Sequence, residues 1–128
     1  MRRWSLSIVT FALLARGTCA VAAADGSPSP VREGFVETPD GLRLFYQECG
    51  EGHQVVVAPG GMYLAGHLPR LVTGCRLVRY DQRARGRSDR VTDRTRIGVS
   101  YEVADLESVQ RGLGLGRISV IGWSYSGL

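Results

Sequence analysis

The six residues Gln54–Pro59, QVVVAP, constrain the fold more than any other stretch. A continuous β-branched run with no polar alternation suits a strand buried on both faces, as in the interior of a parallel sheet. Cys75–Tyr80 (CRLVRY) and Arg117–Gly122 (RISVIG) read as two further strands. Between them Val99, Val103, Leu106, Val109 and Leu113 recur at helical spacing, and Gly112, Gly114 and Gly116 end that helix. Leu64, Leu68, Leu71 and Val72 fit one face of a short helix, which Pro69 limits. Upstream, Gly34–Thr38 and the aromatic Leu42–Cys49 predict a hairpin, joined by the turn signal Pro39-Asp40-Gly41. Strands alternating with helices predict an α/β fold with a largely parallel sheet and right-handed crossovers.

Residues 1–24 read as a secretory leader. Met1–Arg3 is a basic start, Trp4–Ala15 is an apolar run too short for a membrane span, and Ala22-Ala23-Ala24 offers a cut before Asp25. The expectation is a secreted or periplasmic protein with no stable membrane anchor. Residues 25–33, opening on DGSPSP, read as a linker, and residues 34–128 as the domain. Every basic residue is arginine: there are 16 and no lysine. Past the leader, 13 arginines face 12 acidic residues, so near-neutrality argues against a nucleic-acid partner. The six arginines from Arg83 to Arg96, with Asp81, Asp89 and Asp93 nearby, read as a solvated loop rather than an anion site.

Ser124 follows the last apolar run by a few residues, with Gly122 and Ser126 two places to either side. Small flanks at that spacing suit a serine exposed on a tight strand-to-helix turn, where bulky neighbours would clash. A helix N-cap serine has the same local look. Two upstream motifs shift the balance. Pro59-Gly60-Gly61 directly follows one strand, and glycines there let backbone N–H groups face an oxyanion. Asp81-Gln82-Arg83, Gly86 and Ser88 directly follow the next.

With PGGMY, DQRARGRS and GWSYSG in this order, each at a strand end, residues 34–128 resemble the α/β-hydrolase fold family, and its proline-iminopeptidase-like branch most closely. The departures are Pro59 for a histidine, Met62-Tyr63 for Pro-Gly, and Ala84 and Ser126 for glycines. The resemblance implies the N-terminal half of an α/β-hydrolase sheet, incomplete, in strand order 1-2-4-3-5. It implies a serine hydrolase acting on ester or amide bonds of a small-molecule or peptide substrate, N-terminal peptide bonds among them. Ser124 would be the nucleophile, and Gly61 (or Met62) and Tyr125 the oxyanion donors. Trp123 and Tyr125 read as packing residues. No metal or cofactor is expected. In this family the acid and the histidine follow the serine, so the sequence reads as a fragment, inactive alone. His53 and His67, which precede Ser124, are poor candidates for the base. The other reading is a non-catalytic binding or interaction module that keeps the half-fold. The implied order makes strands two and four antiparallel neighbours. Cys49 closes one and Cys75 opens the other, so a Cys49–Cys75 disulfide is expected, against two free buried thiols. The last strand would be an apolar edge.

Overall fold

The computed structural model describes residues 18–22, 28–61, 67–68 and 73–127. A small antiparallel pair, β1 (Thr18–Ala22) and β2 (Pro28–Pro30), precedes the main sheet. The main sheet holds β3 (Arg32–Glu37), β4 (Arg43–Cys49), β5 (Val55–Pro59), β6 (Arg76–Tyr80) and β7 (Ile118–Val120), in the order β3-β4-β6-β5-β7. This is the implied order. β3 and β4 form the expected hairpin, with Phe35 opposite Phe45, and β4 runs antiparallel to β6. β5 lies parallel to both β6 and β7. Among the described residues the one long helix, α1 (Val99–Gly112), leads into β7.

All five residues of β5 are buried, as its unbroken apolar run requires. Its alternate side chains divide between two cores. Val56 and Ala58 join Cys49, Leu68 and Leu77 on one face. Val55 and Val57 join Leu44, Val78, Tyr80, Val109 and Leu115 on the other. Burying a valine or leucine fully contributes about 1.5–3 kcal/mol, so both faces of β5 are load shared with its neighbours.

Several expectations need correction. The strand β3 starts at Arg32, inside the segment read as linker, because Arg32 and Glu33 already pair with Glu48 and Gln47. Pro28–Pro30, also in that segment, is paired as β2. The leader falls outside the described residues except for Thr18–Ala22, and most of the short helix around Leu68 does too. The Cys49–Cys75 bridge is not made: Cys49 is disulfide-bonded while Cys75 is a free thiol. The ladder sets Leu77, not Cys75, opposite Cys49, so Cys75 falls two steps along the strand. A diagonal neighbour of that kind is about 7–8 Å away, too far for a disulfide. The Cys75 thiol instead lies 3.9 Å from Gln54 Oε1.

The helical stripe is only half buried. Val109 is fully enclosed, but Val99 and Val103 are exposed, and Asp105 and Ser108 take the buried positions beside Val109. The reason is Arg83, whose guanidinium claims Asp105 from the sheet side. Among the described residues, no helix is long and apolar enough to cross a membrane.

Candidate active site

Two loops at the C-terminal ends of parallel strands build the site. The first follows β6 and carries Asp81–Asp89. Asp81 N–H donates to Phe45 O, and its carboxylate accepts from Arg87 N–H at 2.9 Å. That carboxylate fills the space where a Gly86 side chain would stand, so only glycine fits there. Ser88 donates to Asp81 O at 2.6 Å and accepts from Phe45 N–H at 2.9 Å. Arg83 makes a two-pronged ion pair with Asp105 on α1, at 2.8 and 2.6 Å, and reaches Asp40 in the hairpin turn and the Arg96 carbonyl. Its ring neighbour is Tyr101, at 4.5 Å.

The Asp105 hydrogen bonds hold the Arg83 guanidinium above its usual pKa, against the opposing effect of burial. Thr38, followed by Arg96 and Arg83, holds Asp40 well below the usual carboxylate range. The reading of this segment as a solvated loop therefore fails at Arg83, which is buried because two carboxylates from distant elements converge on it. The motif DQRARGRS is thus a structural latch between hairpin, sheet and helix.

Gln82 turns the other way. Its Nε2 donates to Glu102 Oε2 at 3.0 Å, and its Oε1 packs beneath Gly60. Burial pushes the Glu102 carboxyl up. Gly60 N–H is held by Tyr80 O at 2.9 Å, which fixes the start of the loop after β5, and Gly61 follows it.

The second loop follows β7. Ser124 sits with φ +54, in the left-handed region that L side chains rarely adopt. Gly122 allows this, since a side chain there would strike Ser126 O and Gly127 Cα. Ser126, which stands where the resemblance has glycine, closes the turn itself: its hydroxyl donates to Trp123 O at 2.9 Å and accepts from Trp123 N–H at 3.2 Å. A cleft of about 350 Å³ then brings Ser124 together with Gly61, Tyr125 and Gln82. Trp123, 70% exposed, and Tyr125, 40% exposed, line this cleft and are not the packing residues the sequence suggested. Neither His53 nor His67 lines it. Met62 lies outside the described residues. Among the described residues no cluster of His, Cys, Asp and Glu could hold a metal.

Sequence reasoning missed the Arg83–Asp105 pair and the Gln82–Glu102 contact. One signal was present: Asp105 stands four residues before Val109, on the face the apolar stripe was meant to bury.

No family model matches the sequence. A proline iminopeptidase of Xylella fastidiosa (strain 9a5c) is 30% identical over 112 residues, taking in 76% of this chain and 33% of the relative. The chain thus spans about a third of the length of the curated relative it matches. An α/β hydrolase from Novosphingobium aromaticivorans superposes with TM-score 0.66 at 27% identity, over 76% of this chain and 36% of that one. An epoxide hydrolase from an endophytic Streptomyces gives TM-score 0.64 at 27% identity, over 75% and 30%. The strand order fits these likenesses, and the chain carries part of the sheet of the α/β-hydrolase fold.

Proposed function

We propose that Ser124 is the nucleophile of an exported serine hydrolase that cleaves ester or amide bonds through an acyl-enzyme, with Gly61 and Tyr125 N–H groups receiving the oxyanion. The observation that carries this is the left-handed backbone at Ser124, which lines the same cleft as Gly61. Strain of that kind costs about 1–3 kcal/mol and clusters at functional sites. A binding module has no need of it. A serine at the elbow favours acyl transfer over the epoxide chemistry named for one structural neighbour, where an aspartate would serve. Resemblance to a proline iminopeptidase supports small-molecule or peptide substrates and puts N-terminal peptide bonds among the candidate targets. Export rests on the basic, then apolar, first residues.

The 128-residue chain is inactive alone on this reading, because no histidine of its described residues reaches Ser124, and a serine without its base loses orders of magnitude in rate. p-Nitrophenyl acetate turnover should therefore equal that of Ser124→Ala. With imidazole supplied as base, a fluorophosphonate should mark Ser124, read by peptide mass spectrometry, and leave Ser124→Ala unmarked. Absence of any adduct at Ser124 sinks the nucleophile assignment.

A further inference from the structure

We infer that Arg85 makes the Ser124 cleft selective for ligands that carry a carboxylate beyond the bond to be cleaved, an inference that rests on the cleft's role proposed above. Arg85 lines that cleft together with Ser124 and Trp123, and its guanidinium carbon stands 6.0 Å from the Tyr125 ring. Three other arginines of its segment are committed to carboxylates: Arg83 to Asp105 and Asp40, Arg87 to Glu33, and Arg96 to Asp40. No ion pair involves Arg85 among the described residues. Its charge also reaches Glu102, whose carboxyl Arg85 draws downward in opposition to burial.

The backbone under Arg85 is fixed. Arg85 N–H donates to Gln82 O at 3.1 Å, and Arg85 O accepts from Ser88 N–H at 3.0 Å. The residue thus has a rooted base and an exposed head that lines the cleft beside the Tyr125 ring and makes no ion pair among the described residues. Around that head the wall is apolar, with Trp123, Tyr125, Ile121 and Leu68. An apolar wall with one planar cation recognises a small apolar acyl or aryl group joined to a carboxylate, which Arg can meet with two parallel hydrogen bonds.

The probes are N-benzylsuccinamate and N-benzylsuccinamide, matched in shape and differing in charge, titrated calorimetrically into the 128-residue chain at low salt. The anion should bind about fivefold more tightly, the upper end for a solvent-reachable ion pair. In Arg85→Gln that ratio should fall to about one, while Arg90→Gln, a nearby exposed arginine outside the cleft, should keep it. Equal affinities in the unaltered chain, a ratio that survives Arg85→Gln, or no binding of either compound overturns the inference. The fluorophosphonate experiment separates the two readings. A marked Ser124 with charge-blind binding removes only the Arg85 inference; charge-selective binding with an unmarked Ser124 removes only the nucleophile.

Discussion

The loop after β6 and the turn after β7 use the same unusual backbone in opposite surroundings. Each holds a non-glycine residue in the left-handed region, Ala84 with φ +60 and Ser124 with φ +54. Around Ala84 the strain is enclosed: Asp81, Arg83 and Ser88 are buried and tied to β4, α1 and the hairpin turn. Around Ser124 the turn is exposed, and the hydroxyl of Ser126 is the principal tie. Strain that is enclosed serves to hold elements together. Strain at an open surface presents a side chain, and there it marks the candidate site.

The largest test of that contrast removes the carboxylate beneath the first loop. Asp105→Ala leaves Arg83 buried with half its partners gone, which should cost about 3–5 kcal/mol, read as the shift in urea midpoint. The double variant Arg83→Met with Asp105→Leu should recover most of this loss. If Asp105→Ala unfolds no more readily than the unaltered chain, the latch contributes nothing.

Next in size is relief of strain. Ala84→Gly and Ser124→Gly should each raise stability by about 0.5–1 kcal/mol, the left-handed penalty less the added freedom of glycine in the unfolded chain. Only the second should abolish Ser124 labelling. A loss of stability in both variants would show that neither backbone is strained.

The two regions should also answer acid with opposite signs. The carboxyl of Asp40, at the latch, is held low, chiefly by Thr38 and then by Arg96 and Arg83. Its stabilising effect is full above the unfolded value of about 3.9 and is lost as pH falls toward the folded value. Glu102, at the cleft, is raised by burial. Its charge is a penalty that is fully present above the folded value and vanishes below the unfolded value of about 4.3. Asp40→Asn should therefore lower stability at pH 7 and flatten the acid limb. Glu102→Gln should raise stability at pH 7, by under about 1 kcal/mol, and change nothing near pH 3. Thermal melts across pH 3–8 would show either sign reversed.

The smallest effect belongs to the open edge. Val120, 47% exposed on edge strand β7, faces the same groove as the exposed Val99 and Val103. Val120→Lys should move stability by no more than about 0.5 kcal/mol yet delay aggregation, followed by light scattering.

What the sequence disclosed follows from how local each signal is. The unbroken apolar run of β5, the Pro39-Asp40-Gly41 turn and the glycines closing α1 each act over a few residues, and each element appears where expected. The order of strands came from the resemblance, which those local signals could not supply. Arg83 stayed hidden because its partners, Asp40 and Asp105, lie far away along the chain and meet it only in the fold. The cysteines failed for a related reason: adjacent strands were foreseen, but not the register that slides Cys75 past Cys49. At the site, the position of Ser124 was legible from its small neighbours, whereas the exposure of Trp123 and Tyr125 depends on what covers β7.

The Arg83 latch also dictates an order of assembly. The β3–β4 hairpin and α1 can each form from contacts close along the chain, on microsecond scales or faster. The latch cannot, since it needs Asp40, Arg83 and Asp105 in place at once, and joining them closes two large loops whose entropy must be met before any hydrogen bond repays it. Ala84, disfavoured in its left-handed well, cannot prepare that loop in advance. Helix and hairpin therefore arrive first, and the turn that binds them to the sheet sets last, as a keystone does.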